Sequence, residues 1–230
     1  MAGMNVWLFY PNLIGYLRIL LALVSCEAMT YAPWRAAICY ILSAASDAVD
    51  GYVARLYNQS SRFGAMLDML TDRCALMALV ICCGCFYPDY LFYFQMSAVV
   101  DIASHWLHFH ASDVTGKMTH KQSSNTVLHL YYTSRLFLFV MCLGNETFYS
   151  LVYISHFWSG PGVHGFHLIP FLTVLFFPFA LLKSMISLLH LIIAAQTLVA
   201  KDQELIKQMI VYFGLVIGFC VLYIVFRLFK

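Results

Sequence analysis

Four aspartates between residues 47 and 72, namely Asp47, Asp50, Asp68 and Asp72, are the side chains whose type and spacing could do chemistry. On helices, residues three or four apart share a face, so Asp47 pairs with Asp50 and Asp68 with Asp72. Brought together, the four carboxylates repel one another, and one or two divalent cations would relieve that repulsion. A ligand set made only of oxygen suits Mg²⁺ or Mn²⁺ better than structural zinc. Gly51 and Gly64 stand close to the acids, where a missing side chain lets a substrate backbone or phosphate approach. Arg55, four residues beyond Gly51, offers a guanidinium to an anionic phosphate. The competing interpretation is a purely structural ion-pair network of these acids with Arg55 and Arg73.

The elements that must carry these residues are apolar. Of the 230 residues, 62% are hydrophobic and 10% charged, against about 45–50% and 25% in an ordinary soluble domain. That excludes a water-soluble globule and a disordered chain, and a net charge of +2 makes no case for nucleic acid. Seven apolar stretches, at 12–31, 34–56, 64–86, 90–111, 128–148, 167–196 and 208–228, are long enough to cross a bilayer. The expected fold is an all-α, polytopic membrane helix bundle. The four aspartates then lie within or at the ends of spans, where each costs about 2.5–3.5 kcal/mol at mid-membrane. Such a cluster is by default a functional site facing a water-filled cavity. The short loop 57–63 makes the second and third spans antiparallel neighbours, so all four acids can converge near one end of the pair.

Lys and Arg counts orient the spans. One set of loops carries Arg62, Lys117, Lys121, Lys201 and Lys207, and the opposite set little beyond Arg35. The first set, and the acidic end with it, is expected to be cytoplasmic, as is the amino terminus. Arg227 and Lys230 would then be on the wrong side if 208–228 crosses, which makes the seventh stretch the weakest. Pro11, Pro33 and Pro88 fall between spans or at their ends, and Gly160-Pro161-Gly162 marks a loop. Residues 1–5 have no basic region of the kind that opens a cleavable signal peptide. Of the eight cysteines, seven sit inside apolar runs and Cys26 near the end of one. Cys82, Cys83 and Cys85 are read as packing residues, not as metal ligands. Asn145-Glu146-Thr147 is a glycosylation sequon placed at the membrane surface and expected to go unused.

Written out, residues 47–72 follow D-x2-D-G-x2-A-R-x8-G-x3-D-x3-D at every position. This resembles the full signature of the CDP-alcohol phosphatidyltransferase family. The flanks Tyr10-Pro11-Asn12, Arg62 to Cys74, Ala103 to His108 and Tyr131 to Arg135 resemble its inositol-using members. The resemblance covers roughly residues 8–200. It implies six core transmembrane helices in residues 1–200, with 201–230 an extension carrying a seventh apolar helix. It implies transfer of a phosphatidyl group from CDP-diacylglycerol to myo-inositol with release of CMP, in the endoplasmic reticulum membrane, by a homodimer. It carries metal-ligand roles to Asp47, Asp50, Asp68 and Asp72, the general-base role to Asp72, and the nucleotide-binding surface to Gly51, Ala54, Arg55 and Gly64. With no activated Ser or Cys nucleophile required, direct displacement is favoured over a phosphoryl-enzyme.

Outside the signature, Asp101, His105 and His108 share one face of the fourth span. They are read either as an inositol-hydroxyl pocket or as interhelical hydrogen bonding, with zinc underpowered by two imidazoles and one carboxylate. Lys183, inside the sixth span near Ser184, Ser187 and His190, is a phosphate or inositol candidate. Arg135 is another, expected near the cytoplasmic end. Arg18 in the first span suits either an anion contact or a partner for one of the acids. The signature binds the shared CDP moiety, so other acceptors (serine, glycerol 3-phosphate, phosphatidylglycerol) are the alternatives within the family. From another class, a cation transporter should show inverted repeats and discontinuous helices, and the sequence shows neither.

Overall fold

The structure is a computed structural model and describes residues 5–116, 135–163 and 166–228. The described residues form six long helices: α1 (Tyr10–Ala28), α2 (Pro33–Leu56), α3 (Arg62–Phe86), α4 (Leu91–Thr115), α5 (Arg135–Phe157) and α6 (Leu168–Leu228). Each boundary has a local cause. Pro11 and Pro33 sit in the first turns of α1 and α2, where a missing N–H costs nothing. Ser61 caps α3, its hydroxyl accepting from the Gly64 amide at 2.9 Å. Gly116, at φ +65°, closes α4 in the left-handed conformation. Between α5 and α6, Gly162–Val163 pairs antiparallel with Phe166–His167 in a minimal hairpin, where a plain loop was expected.

Among the described residues, four helical stretches, Tyr10–Ala28, Arg62–Phe86, Leu136–Phe157 and Leu168–Leu215, are long and apolar enough to cross a membrane. α2 and α4 are as long, and their polar residues belong to the site described below. Leucines 13, 17, 20 and 23 of α1 point outward and are 43–60% exposed, the pattern of a helix bathed in lipid. The chain is a multi-pass membrane protein.

Two sequence expectations change. The stretches 167–196 and 208–228, read as separate spans, form one 61-residue helix, about 90 Å long at 1.5 Å per residue. The charged segment between them stays helical and carries an i,i+3 ion pair, Lys201 Nζ to Glu204 Oε2 at 2.9 Å. Pro178 lies inside this helix without ending it. Second, the fifth span, expected to end at 148, continues in α5 to Phe157, and residues 128–134 lie outside the described residues. Asn145 therefore sits in mid-helix, 5% exposed, and not at a membrane surface.

The packed core fills the half of the bundle away from the acids. It joins Ala28 and Met29 of α1, Ala36 and Tyr40 of α2, Leu76 to Cys83 of α3, and Tyr149 to Tyr153 of α5. Hydrogen bonds lock it: Ser25 Oγ donates to the Ala36 carbonyl, and Tyr153 Oη to that of Met29, both at 2.8 Å. Cys83 is fully buried there and Cys82 is 8% exposed, as packing residues should be, whereas Cys85, expected to pack with them, is exposed on the outer face of α3. With this end tied, the opposite end of α2 and α3 holds the charge.

Candidate active site

α2 delivers Asp47 and Asp50 in its last turns and α3 delivers Asp68 and Asp72 in its second and third. The two helices are joined by residues 57–61. Asn58 turns this link at φ 52°, and Gln59 pins it by accepting from the Tyr10 amide at 2.8 Å. α2 nonetheless packs chiefly on α1 and touches α3 little. The acids meet across α1, through Arg18. Its Nη1 lies 2.9 Å from Asp47 Oδ1, 2.6 Å from Asp50 Oδ2 and 2.7 Å from Asp68 Oδ1, and its Nη2 donates to Asp72. Arg18 is 1% exposed, whereas the Asp47 and Asp68 side chains are 44% and 45% exposed. The cluster is thus closed on the Arg18 side and open on the other.

One oxygen each from Asp47, Asp50 and Asp68 fall within 4.8 Å of one another. Hard oxygen donors at that spacing fit a divalent cation. Four carboxylates against one guanidinium leave a formal charge that such a cation would balance. Among the described residues no other cluster of His, Cys, Asp or Glu has this geometry, so zinc at Asp101, His105 and His108 finds no support. His108 instead stacks on His190 of α6, with ring centroids 5.6 Å apart.

The signature glycines differ in use. A Cβ on Gly51 would make an ordinary 3.5 Å contact with Arg55 Nη1, leaving this surface open beside the guanidinium. A Cβ on Gly64 would lie 2.7 Å from Asn12 Oδ1, so the space beside Gly64 is occupied by α1. Arg55 itself is exposed in the last turn of α2.

A second polar group begins at Arg73, adjacent to the cluster. Its Nη1 donates to Asp101 Oδ2 and Oδ1 at 3.0 and 3.3 Å, and its Nη2 is 3.6 Å from Asp72 Oδ2. Asp101 and Lys183, which the sequence nominated in two separate groups, line one cavity of about water size together with Arg73, Ser97, Asn145 and Ser187. His105 adjoins this group, Nδ1 2.7 Å from the Asp101 carbonyl oxygen. Arg135 opens α5, and its side chain lies outside the described residues, as do Lys117 and Lys121. Sequence reasoning missed Glu146, which accepts from Tyr40 Oη at 2.5 Å. It also missed Asn145 as an interior residue. An acid inside an apolar stretch was the available signal for Glu146, and the sequon hid it.

A family model for CDP-alcohol phosphatidyltransferases matches residues 8–229. The chain belongs to that family. The match runs past residue 200, where the resemblance in sequence was drawn. The chain is 50% identical over 201 residues to human CDP-diacylglycerol–inositol 3-phosphatidyltransferase, covering 86% of this chain and 94% of that protein. It is 46% identical over 198 residues to the Drosophila melanogaster enzyme of the same name, covering 86% and 88%. With the Saccharomyces cerevisiae enzyme of that name it shares 37% over 203 residues, covering 87% and 90%. No solved structure matches the chain.

Proposed function

We propose that this protein is a CDP-diacylglycerol–inositol 3-phosphatidyltransferase. The observation that carries the reading is the convergence of the four signature acids at one open end of the bundle, in a chain half identical to enzymes of that name. The oxygen of a myo-inositol hydroxyl attacks the β-phosphorus of CDP-diacylglycerol. The bond from that phosphorus to the bridging oxygen breaks, and CMP departs with the oxygen. Bound Mg²⁺ or Mn²⁺ would neutralise the pyrophosphate and the leaving oxygen.

The chain's own residues do the rest. Asp47, Asp50 and Asp68 hold the cation, with Asp72 as a fourth ligand. Asp72 also takes the inositol hydroxyl proton, and Arg73 fixes one of its oxygens. Gly51, Ala54 and Arg55 form the open surface for the nucleotide and its phosphates. Gly64 contributes by admitting α1. Asp101, His105 and Lys183 read inositol hydroxyls beside Asp72, with Arg135 and His108 as further candidates. The acceptor is the unphosphorylated polyol, because beyond Arg55 the basic residues for a second phosphate are few. Arg55 and Arg62 mark the acidic end as the cytoplasmic one, in the endoplasmic reticulum membrane, and the protein acts as a homodimer. Residues 201–230 carry no site residue and form an extension to the membrane domain.

The test is purified protein with CDP-diacylglycerol, Mn²⁺ and a panel of radiolabelled acceptors. Lipid-soluble label is expected from myo-inositol. Label from serine, glycerol 3-phosphate or phosphatidylglycerol instead would overturn the acceptor assignment.

A further inference from the structure

Arg18 lies outside the signature, yet its guanidinium takes the position a cation would take. Nη1 is within 2.6–2.9 Å of Asp47, Asp50 and Asp68, the same three acids whose oxygens have metal-holding geometry. A guanidinium bonded to those oxygens repels a divalent cation and competes with it for the same lone pairs. A second observation bears on how firmly Arg18 is held. Its Nε is buried and has no hydrogen-bond partner among the described residues, and a permanent buried strut is normally satisfied at every donor. The α1 backbone at this point is anchored separately, Ser43 Oγ donating to the Arg18 carbonyl at 3.0 Å. The side chain can therefore leave the acids without α1 and α2 parting.

We propose that Arg18 is a built-in counter-ion that holds the metal seat in the metal-free protein and yields it to the divalent cation. It is a positioning residue: it keeps four carboxylates gathered while the site is empty of metal, and competes with the metal for them afterwards. The inference rests on the metal-dependent reading given above, and explains how so acidic a cluster can be folded in a membrane before metal arrives.

The experiment compares the full-length wild-type protein in detergent with Arg18→Gln and Arg18→Lys. Mn²⁺ binding is followed by loss of the free-ion electron paramagnetic resonance signal, and thermal unfolding is measured with EDTA or with Mn²⁺. Arg18→Gln should unfold at a lower temperature than wild type in EDTA. It should bind Mn²⁺ about tenfold or more tightly and gain more from Mn²⁺ in unfolding temperature. Arg18→Lys, a single point charge unable to reach all four acids at once, should fall between. If Arg18→Gln folds only with metal, it is purified in Mn²⁺ and the release rate into excess EDTA is compared, with slower release expected. Unchanged or weaker Mn²⁺ binding, or faster release, would overturn the proposal and leave Arg18 a structural strut. So would a wild-type protein that binds no Mn²⁺. An acceptor panel that fails while Mn²⁺ tightens in Arg18→Gln would sink the acceptor assignment and leave this inference standing.

Discussion

Replacing Asp101 by leucine removes the main partner of a buried charge. Arg73 and Asp101 have side chains 16% and 13% exposed and meet at 3.0 and 3.3 Å, so solvent does little to screen them. Without Asp101, the nearest remaining carboxylate of Arg73 is Asp72, at 3.6 Å. Breaking one side of such a pair typically costs about 3–5 kcal/mol, while replacing both sides with apolar residues is often neutral. Competing partners in the membrane-unfolded state pull the value towards the lower end. Asp101→Leu and Arg73→Met should therefore each lower the unfolding temperature by roughly 6–20 °C, taking about 2–4 °C per kcal/mol for a chain of this size. The double variant should recover most of that loss. The assay is thermal unfolding in detergent with a thiol-reactive fluorophore, which reads exposure of the buried Cys82 and Cys83 as the rise above the prompt labelling of exposed Cys74 and Cys85. The double variant should stay inactive, because Asp72 has lost a contact and the inositol pocket an acceptor. Additive losses, or single costs under about 1 kcal/mol, would refute the buried-pair reasoning. Recovery of turnover in the double variant would remove Asp101 and Arg73 from the acceptor site.

Asp72→Asn should cut turnover by about 10²–10⁴-fold with CDP-diacylglycerol binding largely kept, and Asp47→Asn and Asp50→Asn should lose metal-dependent CDP binding as well. Parallel loss of metal affinity alone in all three variants would make Asp72 only a fourth ligand. EDTA should abolish transfer and Mg²⁺ or Mn²⁺ restore it, and Asp68→Asn should stay inactive with membrane insertion intact. Full turnover of EDTA-stripped protein would exclude the metal-dependent mechanism. Gly64→Ala drives a Cβ to 2.7 Å from Asn12 Oδ1 and 3.1 Å from the capping Ser61 Oγ, so it should destabilise by about 1–3 kcal/mol. Gly51→Ala, meeting only Arg55 Nη1 at 3.5 Å, should fold normally and raise the KM for CDP-diacylglycerol. Equal unfolding temperatures for the two glycine variants would contradict this split.

Local chemistry was legible in the chain itself. The i,i+3 and i,i+4 spacing of the aspartates, their place at helix ends and the apolar stretches around them follow from helix geometry and the cost of charge in lipid. Those rules act within one helix, so reading residues in order is enough. The same is true of Cys82 and Cys83, which sit within an apolar run and are buried. What required the tertiary structure is what crosses between helices. The sequence set α2 directly against α3, but α1 stands between their acids and brings Arg18 to all four. Gly64 looked like an opening and is a close approach for Asn12. Glu146 and Asn145, set aside as a surface sequon, face the interior because α5 runs on to Phe157, past the end its hydropathy suggested. α6 runs unbroken through Lys201 and Glu204, where their charge implied a loop. Hydropathy measures how much apolar surface a segment has, and the rotation of one helix against its neighbours decides which polar side chains that surface encloses.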